Sequence, residues 1–143
     1  MDKEKNYYVY WDASAILSAL VKDSHSGVAV KWIRKDGLHL LSTLAYAEVI
    51  SVLDRMEKER ILTGVLVQSA LQALHEGPWR FLNLSPGREH MDFLRGKYLL
   101  RGADFWHLAL AITLKKDIPE LMVLTFDKKL REGTEKEGFA CPS

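Results

Sequence analysis

Residues 7–14 read YYVYWDAS, an apolar and aromatic run that ends on an aspartate. A run of this kind is typical of a strand buried inside a protein. The residues that follow, 15–21 (AILSALV), predict a short helix directly after that strand. A buried strand followed at once by a helix is the unit from which parallel α/β proteins are built. The stretch therefore predicts an α/β fold and places Asp12 at the carboxyl end of its first strand.

The rest of the chain repeats this alternation of strands and helices. Further strands are predicted at 38–42, 80–84 and 121–126, with a strand fragment in the tail at 139–143. Further helices are predicted over 24–34, 43–60, 65–75, 86–100, 103–116 and 127–132. Short strands that alternate with helices favour a layered α/β structure with a mostly parallel sheet. The length predicts a single domain over 1–143.

The composition is that of an ordinary globular domain. Of the 143 residues, 48% are apolar and 27% are charged, which excludes the disordered and fibrous classes. Twenty lysines and arginines face nineteen aspartates and glutamates, so the formal net charge is +1. A strongly basic domain would indicate nucleic-acid binding, and a net charge this close to zero does not. A nucleic-acid site must therefore be sought in the local distribution of the charges.

The sequence predicts a cytoplasmic protein with no membrane partner. Cys141 is the only cysteine, so no intrachain disulfide forms and a reducing compartment is expected. The uncharged runs 13–21 and 105–114 are far shorter than the about 20 residues that a spanning helix needs. Residues 1–11 begin charged and become apolar, but no convincing cleavage site of a signal peptide follows.

Four of the nineteen carboxylates stand alone in apolar segments. Asp12, Glu48 and Asp104 are each the only charge in a long apolar stretch, and Asp127 directly follows the run 121–126. Two of these acids follow predicted strands, and the other two lie within about one turn of the start of a predicted helix. Ligands of open parallel sheets bind at the carboxyl ends of the strands. The four acids are therefore predicted to meet at that edge.

Carboxylates in apolar surroundings need pairing, hydrogen bonds or a metal ion. Four converging carboxylates repel one another, and hard oxygen ligands suit Mg²⁺ or Mn²⁺ rather than zinc. Each acid also has a purely structural interpretation. Asp12 and Asp127 can cap the helices that follow them. Asp104 can stabilise a helix N-terminus, and Glu48 can pair with Arg55 or a more distant base. Both interpretations stay open at this point.

Four stretches contain these acids: 7–17 (YYVYWDASAIL), 43–49 (TLAYAEV), 100–111 (LRGADFWHLALA) and 124–130 (LTFDKKL). In this order they resemble the acidic elements of PIN domains, and together they span nearly the whole chain. The third stretch is the most recognisable, because its aspartate and histidine are three residues apart. The resemblance implies a three-layer α/β/α fold with a central, mostly parallel sheet of four to five strands. The short tail suggests that the last strand of the family is truncated here.

The resemblance also implies an activity. PIN domains are Mg²⁺- or Mn²⁺-dependent nucleases, most often endoribonucleases that hydrolyse RNA phosphodiester bonds with a metal-activated water. By position, Asp12, Glu48, Asp104 and Asp127 are the expected metal-binding and catalytic acids. Small single-domain members are commonly VapC-like toxins of type II toxin–antitoxin modules, which implies an antitoxin protein as a partner besides the RNA substrate.

Three further residues are expected to support the acids. Ser14 corresponds to a small polar position beside the first aspartate and is expected to hold a metal-bound water. Thr125 occupies a similar supporting position before the last aspartate. His107 shares a helix face with Asp104 and is expected to be packed and hydrogen-bonded rather than a ligand.

Two basic and three apolar positions suggest contacts with partners. Lys128 and Lys129 adjoin the last acid and are expected to contact the phosphate backbone. The apolar residues Val28, Trp32 and Ile33 leave room for a homodimer or an antitoxin surface, and core packing explains them equally well.

A second hypothesis is a catalytically inactive PIN-like module that binds RNA or a protein partner. The complete acid set argues against it, since a binding module has no need to keep mutually repelling carboxylates. Other classes fit less well. A dehalogenase-type phosphatase needs an aspartate where Ser14 stands, and a receiver domain needs an acid after the third strand, where Ser85 follows. Zinc is unsupported, because neither Cys141 nor any histidine has a partner at metal spacing.

Overall fold

The structure is a computed structural model and describes residues 5–143. The strands in this part of the chain are β1 (Tyr7–Trp11), β2 (Gly37–Ser42), β3 (Trp79–Leu82) and β4 (Met122–Leu124). The helices are α1 (Ala13–Leu20), α2 (Ser26–Ile33), α3 (Thr43–Lys58), α4 (Gly64–Glu76), α5 (Arg88–Leu94), α6 (Gly102–Lys115) and α7 (Lys128–Lys136). Residues 1–4 lie outside the described residues; they include most of the charged start of the segment 1–11 and the beginning of the predicted domain 1–143.

The described strands form one parallel sheet in the order β3-β2-β1-β4. β1 lies inside the sheet, because Val9 pairs with His39 of β2 on one side and with Met122 of β4 on the other. A strand with neighbours on both edges is buried throughout, which explains the apolar run at 7–11. The chain leaves β1 toward β2 and later returns to its other edge as β4, so the strand order reverses at β1. Ligands of open α/β sheets bind at such a reversal.

Helices cover both faces of the sheet. Val9 and Trp11 point to one face, where they share a core with α1, α2, α3 and α4. Tyr10 lies between them in sequence and belongs to the core on the opposite face, with α5, α6 and α7. The alternation of side chains along β1 therefore separates two cores. The predicted three-layer α/β/α architecture with a parallel four-stranded sheet is confirmed.

The apolar residues of α2 pack inward. Trp32 is buried in the first core, and Val28 and Ile33 pack against that core with part of their surface exposed. Trp32 also makes an edge-to-face contact with the Tyr7 ring, at 5.1 Å between the ring centroids. Core packing is therefore sufficient to explain these three residues.

Side-chain caps explain where several helices begin. Asp12, Ser42, Thr63 and Asp127 each accept a hydrogen bond from the backbone N–H three residues later, at 2.9, 3.0, 3.3 and 2.9 Å. Such a bond satisfies one of the free donors at the N-terminus of a helix. Asp12 and Asp127 thus have the capping role that the sequence leaves open for them, in addition to any role at a site.

The predicted helix over 86–100 is wrong in length. α5 is only seven residues long and begins after Gly87, and residues 95–101 are irregular. After Leu94, Arg95 and Gly96 form a turn that the Lys97 N–H closes on the Leu94 carbonyl at 3.1 Å, and Gly96 supplies the positive φ of +79° that this turn needs. Leu94 is buried, whereas Leu99 is 88% exposed. Tyr98 and Leu100 still pack against the core that contains Tyr10, so this segment contributes to the core as an irregular stretch and not as a helix.

The last strand is also shorter than predicted. Of the predicted segment 121–126, only Met122–Leu124 is a strand. The hydroxyl of Thr125, the next residue, bonds instead to Asp12 in the turn after β1. Thr125 therefore lies in the turn after β4, where its side chain contacts the turn after β1, and it is not part of the strand.

The end of the chain departs from the prediction in two ways. Residues 139–143 form no strand, and they meet β4 through a hydrogen bond from the Val123 N–H to the Ala140 carbonyl at 3.1 Å. α7 extends to Lys136, beyond the predicted helix 127–132. Within residues 5–143, no helix combines the length and the hydropathy needed to cross a membrane.

Gly37 is predicted to be a position that tolerates no side chain. Its φ is +143°, and a Cβ on it would lie 1.9 Å from the backbone oxygen of Tyr7. Gly37→Ala is expected to lower the free energy of unfolding by about 3 kcal/mol or more, measured by urea denaturation. Gly27→Ala is the matched control, because a Cβ there meets nothing within 4 Å and alanine favours α2. Equal losses in the two variants would contradict this prediction.

Candidate metal centre

The carboxyl ends of β1 and β4 border a cavity of about 220 Å³. Side chains from separate segments of the chain line it. Its acids are Asp12, Glu48, Asp104 and Asp127, and Ser14, Arg101 and His107 are among the residues beside them. The structure therefore brings all four predicted acids to one place, at the reversal of strand order where α/β sheets bind ligands.

Asp12 is the most deeply buried of the four acids, with 3% of its surface exposed. Its Oδ1 accepts from the Ala15 N–H at 2.9 Å and from Ser14 Oγ at 2.7 Å, and its Oδ2 accepts from Thr125 Oγ1 at 2.5 Å. Burial raises the pKa of the Asp12 carboxyl, and the three hydrogen bonds oppose that rise. A carboxylate offers about four acceptor positions. One position therefore remains for a ligand in the cavity.

Two hydroxyl groups join the turn after β1 to the turn after β4. Ser14 Oγ donates to Asp12 and accepts from the Phe126 N–H at 3.0 Å. Thr125 Oγ1 donates to Asp12 and accepts from the Asp127 N–H at 3.0 Å. Each hydroxyl therefore bonds to both turns and couples the positions of the two aspartates. The expected role of Ser14 in holding a metal-bound water stays a prediction, because its hydroxyl oxygen has a second acceptor position.

Asp104 and Asp127 reach the cavity from the starts of two helices. Asp104 lies in the first turn of α6, and Asp127 caps α7. Burial raises the pKa of Asp104, the negative charges of Asp127, Asp12 and Glu48 raise it further, and His107 lowers it. The four carboxylates thus lie close enough to act on one another electrostatically.

A buried chain of hydrogen bonds holds Glu48. Its Oε1 lies 2.6 Å from Nε2 of His107, and Nδ1 of His107 lies 2.5 Å from the hydroxyl of Tyr10. That hydroxyl also bonds to Ser42 Oγ at 3.1 Å. Since an ionised carboxylate can only accept, Nε2 carries a hydrogen. His107, 2% exposed, is the packed and hydrogen-bonded residue that the sequence predicts, and it rather than Arg55 is the partner of Glu48.

The acids do not form a finished set of metal ligands. Within residues 5–143, no three histidine, cysteine, aspartate or glutamate side chains are arranged so that together they could hold an ion. Asp12 faces the hydroxyls of Ser14 and Thr125, and Glu48 faces His107. Neighbouring side chains therefore occupy part of the acceptor capacity of Asp12 and Glu48.

Sequence reasoning missed three residues at or behind this cavity. Arg101 lines it, and Tyr10 and Ser42 support it through His107. Tyr10 had a detectable signal, because a hydroxyl in a fully buried strand needs a hydrogen-bond partner. Arg101 and Ser42 had none, since only the tertiary structure brings them here.

Lys128 and Lys129 do not line the acid cavity. They line a neighbouring cavity of about 190 Å³, whose walls include Asp104 and Asp127. Both lysines are exposed. The structure therefore places the two residues predicted to contact phosphate beside the acids and not among them.

Comparison with known proteins identifies the family. A sequence profile of the PIN domain matches residues 9–136. The chain belongs to the PIN domain family. Two curated relatives of this PIN domain are Ribonuclease VapC45 of Mycobacterium tuberculosis strain CDC 1551 / Oshkosh and Ribonuclease VapC49 of strain ATCC 25618 / H37Rv. Each is 33% identical over 135 residues, which covers 91% of either chain.

Solved structures share the fold of this PIN domain. VapBC2 from Rickettsia felis, bound to a DNA fragment from its promoter, matches with a TM-score of 0.63 at 12% identity and covers 94% of this chain and 96% of that chain. VapC20 of Mycobacterium tuberculosis, a toxin that cleaves the sarcin–ricin loop, matches with a TM-score of 0.61 at 14% identity and covers 92% and 96%. At these identities the likeness shows the fold alone.

Asp104→Asn is expected to stabilise the metal-free protein at neutral pH. Folding raises the pKa of the Asp104 carboxyl, so the folded state binds more protons than the unfolded state. The ionised carboxylate therefore lowers the free energy of unfolding at pH values above the folded pKa. This loss of stability fades as the pH falls toward the unfolded pKa of about 3.9. We expect the melting temperature to rise by about 2 °C at pH 7.5 in EDTA. This gain should shrink as the pH falls toward 4, measured by calorimetry.

The control for this prediction is Asp117→Asn, an exposed aspartate just beyond the last residue of α6. It should leave the melting temperature unchanged at both pH values. The prediction is contradicted if the melting temperature of Asp104→Asn rises equally at both pH values, or if it falls at neutral pH. Either result would show that the ionised Asp104 carboxylate does not destabilise the fold.

Proposed function

We propose that this PIN domain is a divalent-metal-dependent endoribonuclease, a VapC-like toxin that hydrolyses RNA phosphodiester bonds. The main support is the cavity at the strand-order reversal, where carboxylates from four separate segments of the chain meet. The names of the two relatives at 33% identity support RNA as the substrate. The runner-up, an inactive binding module, would have no use for this convergence of acids.

The chemistry of the donor set suits Mg²⁺ or Mn²⁺. The acids of the cavity supply carboxylate oxygens, the hard ligands that these ions prefer. Burial and neighbouring charges raise the pKa of Asp104, and a cation in the cavity would relieve that cost. We therefore assign Asp12, Glu48, Asp104 and Asp127 as the residues that hold the metal. Such an ion, when bound, lowers the pKa of water and stabilises negative charge on a phosphoryl oxygen.

The other residues of the site hold the acids in place. Ser14 and Thr125 bond to Asp12 from both turns, and His107 bonds to Glu48. A misplacement of about 1 Å in a catalytic group can cost about 100-fold in rate. We assign these three as positioning residues, because each of them bonds to one of the acids.

We further propose a cytoplasmic location, an antitoxin protein as partner and a homodimer. The solved VapBC2 complex supports the existence of an antitoxin by analogy. An apolar groove of about 660 Å³ between α3 and α4 supports a protein contact on that face; Tyr46, Ile50, Val67 and Leu71 are among the residues that line it. A toxin of this class should slow growth when expressed alone, and co-expression of a small protein encoded next to it should restore growth.

Loss of a single acid is expected to stop RNA cleavage without unfolding the protein. Asp12→Asn and Asp104→Asn keep the side-chain shape and remove a charge from the donor set. Each should lower kcat by about 100-fold or more. We would measure cleavage of a panel of structured RNAs in Mn²⁺, with Mn²⁺ binding by calorimetry and the melting temperature beside it.

Glu120→Gln is the matched control, because Glu120 is an exposed acid on the amino side of β4, far along the strand direction from the cavity. It should cleave RNA normally, and EDTA should stop cleavage by the unsubstituted protein. Full activity in both folded aspartate variants would overturn the assignment of the site. Absence of Mn²⁺ binding to the protein and to its RNA complex would favour the inactive module.

His107 is expected to act on the metal site through Glu48. His107→Ala removes the donor at Nε2, whereas His107→Gln keeps an N–H near that position. We expect His107→Ala to raise the Mn²⁺ concentration needed for half-maximal cleavage by about tenfold, with KM for RNA unchanged. Tyr10→Phe, which leaves Nδ1 without its hydroxyl partner, should have a smaller effect in the same direction.

Rescue distinguishes positioning from a general loss of packing. His107→Gln should recover most of the Mn²⁺ affinity even where its melting temperature is as low as that of His107→Ala. Saturating Mn²⁺ should restore much of the rate in every folded variant. If Mn²⁺ affinity instead follows the melting temperature across the three variants, His107 is a core residue only.

A further inference from the structure

A second cavity, the one of about 190 Å³, lies directly beside the acid cavity. The two cavities share Arg101, Asp104 and Asp127 in their walls, and Lys128 and Lys129 line only the second of the two. Three cations therefore line a cavity that also has Asp104 and Asp127 in its wall.

These cations have no anionic partner in the described part of the chain. Among residues 5–143, no ion pair includes Arg101, Lys128 or Lys129, although two carboxylates share the wall of the same cavity. All three side chains belong to exposed residues. Their charge is therefore available to an anion from outside.

The stability of the fold does not explain why these residues are cations. Arg101 is the N-cap residue directly before α6, and Lys128 and Lys129 are the first two residues of α7. A positive charge at the N-terminus of a helix opposes the helix dipole, and acidic residues are favoured there. The three cations are thus placed where they weakly destabilise both helices, and a negatively charged ligand would offset that cost.

We propose that Arg101, Lys128 and Lys129 form a subsite for the backbone phosphate that neighbours the cleaved one on the RNA strand. This inference rests on the proposed ribonuclease function and adds where the strand continues beyond the acids. The acid cavity takes the phosphate that is cleaved, and the second cavity takes its neighbour. Arg101 lies between the two subsites, because it lines both cavities.

Opposite charges in adjoining cavities allow a polyanion to approach four carboxylates. The acids repel a phosphodiester, and cations in the wall of the adjoining cavity supply attraction beside them. The guanidinium can bond two phosphate oxygens at once, and each lysine acts as a mobile point charge. Leu99, at the edge of the cavity, exposes apolar surface to a ribose or a base. A subsite of this kind positions the strand without reading its sequence.

The experiment compares a substrate that has a neighbouring phosphate with one that has none. The variants are Arg101→Gln and the double substitution Lys128→Gln with Lys129→Gln. Arg95→Gln is the matched control, because Arg95 is an exposed arginine at the end of α5 that lines neither cavity. The substrates are a fluorescein-labelled single-stranded RNA and bis(4-nitrophenyl) phosphate, a minimal phosphodiester.

Two measurements are made on each protein. Binding of the labelled RNA is followed by fluorescence anisotropy in EDTA over a series of salt concentrations, so that affinity is separated from cleavage. Hydrolysis of both substrates is then followed in Mn²⁺, with the melting temperature measured beside it. The double lysine variant should melt at the same or a slightly higher temperature, because it loses two charges at the start of α7.

Each lost phosphate contact should reduce the slope of log affinity against log salt by about 0.7 for a single strand. Because all three cations serve one phosphate, we expect a reduction of about 0.7 at most in Arg101→Gln and in the double variant. KM for RNA should rise about tenfold in each. Hydrolysis of the minimal phosphodiester should stay within about twofold of the unsubstituted protein in the double lysine variant, and it should fall in Arg101→Gln, because Arg101 also lines the acid cavity. Arg95→Gln should behave like the unsubstituted protein in every assay.

An unchanged salt slope in the variants, or an equal change in Arg95→Gln, would overturn the subsite. So would a parallel loss on both substrates in the folded double lysine variant, which would place these two cations at the reacting phosphate. If the unsubstituted protein hydrolyses neither substrate, the ribonuclease proposal fails; reduced salt slopes in the variants would then still support an RNA-backbone site in this cavity.

Discussion

The hydrogen bond from Thr125 Oγ1 to Asp12 Oδ2, at 2.5 Å, is the contact on which the rest of the site depends. It joins the ends of β1 and β4, which already pair side by side in the sheet. Thr125 and Ser14 donate hydrogen bonds to the Asp12 carboxylate, which is only 3% exposed. These bonds are needed because an unpaired buried charge is costly. Because Thr125 also binds the Asp127 N–H, the bond that stabilises Asp12 fixes the second aspartate as well.

A second contact connects the two helical layers. Glu48 belongs to α3 on one face of the sheet, and His107 belongs to α6 on the other. Tyr10 of the central strand anchors the histidine from behind. Packing in two separate cores sets where the layers lie, and this buried chain of polar contacts sets how their side chains meet at the cavity. Buried networks of this kind specify one arrangement because each member that loses its partner is costly.

The parts of the fold that sequence reasoning predicted are those with a strong local signal. The apolar run 7–11, the alternation of strands and helices and the isolated acids are visible without tertiary information. The Ser-Pro start and the apolar residues of 86–100 favour a helix over that whole length, whereas the helix in the structure ends at Leu94. After Leu94 the chain turns at the left-handed Gly96, and of the residues that follow Tyr98 and Leu100 pack on a core while Leu99 is exposed. A helix in water depends on such packing more than on propensity.

By itself, the sequence determined the parallel α/β class and the identity of the four acids, because buried strands and isolated charges are local patterns. Only the tertiary structure decided the partners of those acids. Asp12 meets Thr125 across 113 positions of sequence, and Glu48 meets His107 across 59. No residue type encodes such a pairing. It arises because β4 lies beside β1 in the sheet and because α3 and α6, on opposite faces, both begin at its carboxyl edge.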